Sequence, residues 1–242
     1  MRTIPTVALL VLFTAGSLAH ARDIKSLQNL SQDQFDAFAL DLVSALSYKA
    51  TSPAEPLGTT GFDLGVGVSL IELQQPESWK IAAGSSAEYL PVPRISLTKG
   101  LPLRIDVGAF VAAVPSSNIM LYGGELKYAL IGGNPVLPAV AVRGGYTRLS
   151  GVDQLALETR SLELTVSKGL FAFTPYAGVG RVWGDVRPDA ISRGGTALAS
   201  SSPSRDRVFA GLQFSLLIGS FAIEVDKTGD TLGASTKLGL RF

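Results

Sequence analysis

The carboxy-terminal stretch Leu232 to Phe242 alternates on a two-residue period. Leu232, Ala234, Leu238, Leu240 and Phe242 take one set of positions; Gly233, Ser235, Lys237, Gly239 and Arg241 take the other. That is the period of a β-strand, whose successive side chains point to opposite faces. One such strand is not stable by itself, so this stretch commits the chain to a sheet. Nine further segments of the same kind precede it, at about 60–73, 93–99, 103–113, 119–131, 137–149, 155–168, 173–184, 207–217 and 221–227, cut by Gly, Pro, Asn and Ser. Only the seventh leaves its faces open, since either Tyr176 or Val179 could be the outward residue.

Charge decides which face points outward. Only 17% of the 242 residues are Asp, Glu, Lys or Arg, while 46% are hydrophobic and 26 are Gly. An average soluble domain carries roughly 25% charge at a similar hydrophobic share, so the shortage of charge is the departure. With the apolar faces inward, as in a soluble lipocalin-like barrel, the outer surface would be small residues with scattered ions, a poor solubilising coat. With those faces outward against hydrocarbon, the small residues let a narrow lumen close and the ions gather inside it. The expected lumen-lining set is Arg94, Arg104, Lys127, Arg143, Arg207, Lys237 and Arg241 with Asp63, Asp106, Glu125, Glu163, Glu224 and Asp226. The fold class is all-β: an antiparallel transmembrane β-barrel of about ten strands over residues 58–242, with lipid as its partner.

The inward ions admit two readings. Mixed charges can line a narrow path for small polar solutes, or they neutralise one another because the second face of each strand has to be polar. Barrels of about eight strands are filled by their own side chains and those of about 16 or more are open, so ten strands favour the filled state.

Ahead of the strands, Arg2, an apolar run from Ile4 to about Ala15, and Ala19-His20-Ala21 read as a secretory signal peptide over residues 1–21, too short for a spanning helix. Residues 22–57 read as an amphipathic helix and a Pro-rich linker. Leu27, Leu30, Phe35, Phe38, Leu42 and Leu46 recur at three- and four-residue steps. Ser31 and Gln34 have the spacing of a capping box, and Pro53-Ala54-Glu55-Pro56 ends the helix. The expectation is a helix packed on the periplasmic end of the barrel or lying at the membrane surface, with a plug in the lumen as the alternative. A periplasmic start also requires short turns after strands two, four, six and eight. Gly100-Leu101-Pro102, Gly132-Gly133-Asn134-Pro135, Gly169-Leu170 and Leu217-Ile218-Gly219-Ser220 are all brief, and the two long connections, 74–92 and 185–206, fall outside the cell.

The run from Leu232 to the aromatic Phe242 resembles the closing strand of Gram-negative outer-membrane β-barrels. Pro175-Tyr176-Ala177-Gly178-Val179-Gly180 resembles a phrase common in small barrels of that kind. Together with the strand–turn rhythm, residues 58–242 look like a small proteobacterial outer-membrane barrel. The resemblance implies an outer-membrane location, delivery by the barrel-assembly machinery, and a role for Phe242 in the assembly signal.

The enzymes of that barrel class use a His, whereas the only His here is His20, inside the signal peptide, and Cys is absent. Ser-His, Cys-His and imidazole-metal chemistry are thereby excluded from the mature chain. Glu224 and Asp226 form a carboxylate pair better suited to an internal ion network, and no cofactor is expected. Removing Arg2 leaves 21 − 1 = 20 basic against 20 acidic groups, a balance that suggests no nucleic-acid role. The functional expectation is a structural or restricted-permeability outer-membrane barrel; the contrasting class is surface recognition through 74–92 and 185–206.

Overall fold

A computed structural model of the protein describes residues 23–84, 88–189 and 198–242. The signal-peptide reading, and the Gly-rich centre of the second long connection at 190–197, lie outside the described residues.

The alternating segments form ten antiparallel strands: β1 (Phe62–Glu72), β2 (Tyr89–Leu101), β3 (Ile105–Ala113), β4 (Met120–Gly132), β5 (Ala139–Ser150), β6 (Leu155–Ser167), β7 (Phe173–Pro188), β8 (Ser204–Leu216), β9 (Gly219–Thr228) and β10 (Thr231–Arg241). Each pairs with its sequence neighbour, and β10 returns to β1 from Asp63 opposite Arg241 to Ile71 opposite Gly233. The sheet is a closed barrel and leaves no free edge. At one end, the turn end, the strands are joined by 102–104, 133–138, 168–172 and 217–218; at the other, the loop end, by 73–88, 114–119, 151–154, 189–203 and 229–230.

The apolar faces point outward. Leu64, Val107, Leu164, Val208, Val225 and Leu240 are 43–62% exposed. In β7 Val179 is outward and Tyr176 is buried, which resolves the ambiguity of that strand.

Two helices accompany the barrel. The capping box at Ser31 and Gln34 opens α1 (Gln32–Leu46), with the Ser31 side chain accepting from the Gln34 N–H and the Gln34 side chain accepting from the Ser31 N–H. A shorter α2 (Pro76–Ala83) lies in the β1–β2 connection, where a loop is expected from sequence. It starts on Pro76 and closes on Gly84 in the left-handed region, φ +65°.

Contrary to the first expectation, α1 neither packs on an end of the barrel nor lies on its outside; the alternative, a plug in the lumen, is what the structure has. The helix stands inside the loop-end half of the barrel, against β6, β7, β8, β10 and α2. Phe35, Phe38, Ala39, Leu42 and Val43 are fully buried, and from Asp41 to Ala50 every residue is buried. The room comes from inward residues that sequence reading assigns no role. Ile71, Leu90, Phe110, Leu121, Leu157, Val182 and Val186 form one core with α1, and Gly184 brings the β7 backbone so close that a Cβ there would overlap Val43. Residues 47–57 continue from α1 towards the turn end without regular structure, with Thr51 in the left-handed region at φ +49°.

Candidate functional site

The lumen therefore has two layers: an apolar one around α1 at the loop end, and an ionic one around residues 47–57. Six cations (Lys49, Arg94, Lys127, Arg143, Arg207, Lys237) and six acids (Asp63, Asp106, Glu125, Glu163, Glu224, Asp226) are buried in the second. Five of those cations stand on strands; the sixth, Lys49, is brought by the amino-terminal segment.

Register places these groups side by side. Asp106 is opposite Lys127, Lys127 opposite Arg143, and Arg143 opposite Glu163. Lys127 Nζ lies 2.9 Å from Asp106, and Arg143 lies 3.0 Å from Glu125 and 3.5 Å from Glu163. The row then meets Gly180 on β7, opposite Glu163 on one side and Arg207 on the other. With no side chain at Gly180, Arg207 reaches across it, donating through Nη1 to Glu163 and through Nη2 to Glu224 at 2.8 Å. A Cβ at Gly180 would lie 2.8 Å from Glu163 Cγ. Near the turn end Lys237 and Arg241 both pair with Asp63, at 3.0 and 3.3 Å.

The motif Pro175 to Gly180 takes its meaning from this packing. Tyr176 fills the interior, Gly178 leaves room for the Phe209 ring, and Gly180 leaves room for the Glu163–Arg207 pair. The same complementarity recurs where Glu125 lies over Gly108 and Asp226 over Gly233. Glu163, Glu125, Asp226 and Lys237 each occupy volume that a neighbouring strand vacates with glycine.

Residues 47–57 are held by this wall. Lys49 Nζ pairs with Asp226 at 2.7 Å. Arg207 donates to the Tyr48 carbonyl at 3.3 Å, and Arg94 to Thr51 Oγ1 at 3.2 Å. Arg143 donates to Ser52 Oγ at 2.9 Å and Lys127 to the Glu55 carbonyl at 2.9 Å. In return Ala54 N–H donates to Ser167 Oγ and Leu57 N–H to Asp106. The Tyr48 ring stacks on Phe110, centroids 4.5 Å apart. The lattice neutralises itself and binds a peptide backbone; among the described residues no His, Cys, Asp and Glu group is arranged to hold a metal ion.

Of the sequence-predicted lumen residues, Arg104 stands elsewhere. It is exposed in the turn Pro102–Arg104, where Leu103 and Arg104 adopt φ +63° and +62°. The left-handed backbone ends the two-residue alternation that would have put Arg104 on the same face as Asp106. Arg241 lies at the rim, half-buried. Lys49, Thr51, Ser52 and Tyr48 are members that sequence reading misses, because an irregular segment carries no period; the one available signal is that Lys49 is the lone cation between Lys25 and Lys80.

At the loop end the plug is locked from above. The Asp41 carboxylate accepts from Gln74 N–H at 3.0 Å, Gln75 N–H at 2.8 Å and Trp79 Nε1 at 3.2 Å, and Trp79 packs edge-on against Phe38. Burial raises the Asp41 carboxyl to about 6, against the opposing pull of those hydrogen bonds and the Arg205 charge.

No protein-family model and no curated protein matches the chain. Among solved structures it is similar to the N-terminal β-barrel domain of Pseudomonas aeruginosa OprF, at 12% identity and TM-score 0.39, covering 76% of this chain and 99% of that one. It is similar to Ail, the attachment invasion locus protein of Yersinia pestis, at 15% identity and TM-score 0.34, covering 76% and 99%. Neisserial surface protein A is similar at 10% identity and TM-score 0.33, covering 75% and 94%. These likenesses are loose, and none of them carries a function to this chain.

Proposed function

We propose that the protein is a non-enzymatic, integral outer-membrane β-barrel of structural type, kept closed by its own amino-terminal segment. The observation that carries this is the filled lumen: residues 47–57 occupy the ionic layer and α1 the apolar one. The membrane reading rests on the outward belt. On β6 the residues between Arg160 and Lys168 that face outward are Leu162, Leu164 and Val166. That interval is about 26 Å of strand at ~3.3 Å per residue, shortened to about 20 Å by a tilt of ~40° and so close to the height of an apolar membrane band. The two longest connections, 73–88 and 189–203, are both at the loop end, which supports a turn end in the periplasm and a loop end outside. Phe242 is exposed at the turn end and stacked on Phe62, which is compatible with a role in the assembly signal.

Planar-bilayer recording tests the closed state. The full chain is expected to be silent, whereas a folded barrel lacking residues 23–57 conducts, with openings altered by Glu125→Gln or Arg143→Gln. Heat-modifiable migration on gels reports that the shortened barrel has folded; a folded, silent one would remove the plug from the account. Surface recognition through 74–92 and 185–206 is the competing class. In the first of these Trp79 is committed to holding α1, and in the second Ala199 exchanges two hydrogen bonds with Gln32, so the described parts of both carry contacts that hold the amino-terminal segment.

A further inference from the structure

We infer that the barrel carries its own amino-terminal segment through its lumen, so that Asp23 and the residues that follow it to Asn29 stand at the cell surface. This rests on the proposed membrane orientation. The thread runs one way. At the loop end Ile24 N–H donates to Asn118 Oδ1, Leu27 N–H to Gln154 Oε1, and both Lys25 and Ser26 N–H to the Ala82 carbonyl. Those partners belong to three different loop-end connections. Gln32 and Ala199 add a fourth, exchanging two hydrogen bonds. At the turn end Leu57 N–H meets Asp106, the chain reverses at Gly58 with φ +79°, and Lys99 Nζ donates to the Thr59 carbonyl at 2.6 Å. β1 then starts back towards the loop end.

The first strand begins where the thread ends, so the amino-terminal side must cross the plane of the membrane ahead of β1. The ring is sealed around it, with β1 and β10 paired along their length. A cargo in this lumen is thus a single polypeptide: a helix of about 10 Å with its side chains in the apolar half, an irregular chain in the ionic half. Asp23, Lys25 and Ser26 border an open cleft of about 380 Å³ with Ala82, Gly84 and Ser116, so the amino-terminal end of the thread is open to solvent at the loop end.

Because the chain has no cysteine, one introduced thiol reports on one place. Lys25→Cys and Asn29→Cys lie on exposed parts of the thread, Ser202→Cys in the β7–β8 connection and Leu217→Cys in the β8–β9 turn. With a membrane-impermeant maleimide on intact cells, the two thread positions are expected to label as fully as Ser202→Cys, and Leu217→Cys only after the outer membrane is permeabilised. Labelling of Ser202→Cys on intact cells with both thread positions protected until permeabilisation would overturn the inference and leave the orientation standing. Labelling of Leu217→Cys with Ser202→Cys protected would instead reverse the orientation and take the inference with it. Two thread positions guard against one substitution disturbing the fold, which the gel shift checks for each variant.

Discussion

At the scale of single residues, the interior is governed by what a buried ion leaves behind when its partner goes. Arg207 is the hinge of the lattice, bridging Glu163 and Glu224 with Asp226 3.5 Å away. Arg207→Met leaves Glu224 without its cation, and Glu163 and Asp226 with Arg143 and Lys49 alone, and should destabilise the barrel by about 3–5 kcal/mol, the usual cost of breaking one side of a buried pair. Adding Glu163→Gln should recover part of that loss, and denaturant titration of the three proteins measures both steps. Asp41 gives a pH-dependent counterpart. Its folded-state carboxyl titrates at about 6 against an ordinary 3.8, so its protonation contributes stability that is fully present below about pH 4 and lost as pH rises through about 6. Two units correspond to about 3 kcal/mol. Relative to Asp41→Asn, the native chain should therefore gain stability on acidification from pH 7 to pH 4; parallel profiles for the two would show that Asp41 does not set the lock.

At the scale of elements, the thread and β7 are fitted to one another through Gly184. Gly184→Val should cost about 1–3 kcal/mol by overpacking against Val43, and pairing it with Val43→Ala should restore most of the loss. A restoration absent from thermal melts of the double variant would mean that α1 does not approach β7 closely. The strands themselves are legible in the sequence because period two survives wherever backbone stays extended, and α1 is legible from its three- and four-residue spacing and the capping box at Ser31. Its location is not. The space for a helix depends on which inward residues are small or apolar at the loop end, and Leu155 and Leu157 share their face with Glu163 on β6, so an alternation count treats the three alike. Eight residues beginning on Pro76 are too few to show a helical period, which hides α2. Arg104 is misplaced by two left-handed residues that no pattern of apolar positions announces.

At the scale of the whole molecule, the wall formed by β6 and β7 shows the apolar surface changing sides. Near the loop end of β6 and β7 the outward residues are Glu158, Arg160, Asp185 and Arg187, while Leu157, Val182 and Val186 turn inward. Further down, Leu162, Leu164, Ala177 and Val179 face out, and Glu163 with the gap at Gly180 faces in. A wall whose upper part is built like that of a soluble domain and whose lower part is inverted requires two solvents, water above and hydrocarbon below. Leu164→Arg puts a cation into the middle of the outward belt and should cost about 2–4 kcal/mol in lipid vesicles. Ala156→Arg, on the same face of β6 but above the belt, should be nearly neutral there. Leu157→Arg buries its charge in the α1 core and should be severe in vesicles and in detergent alike. A secreted β-protein with the same alternation would give a different order, because an outward Leu164→Arg would then meet water and cost nothing; unfolding of the three variants in vesicles separates the two cases.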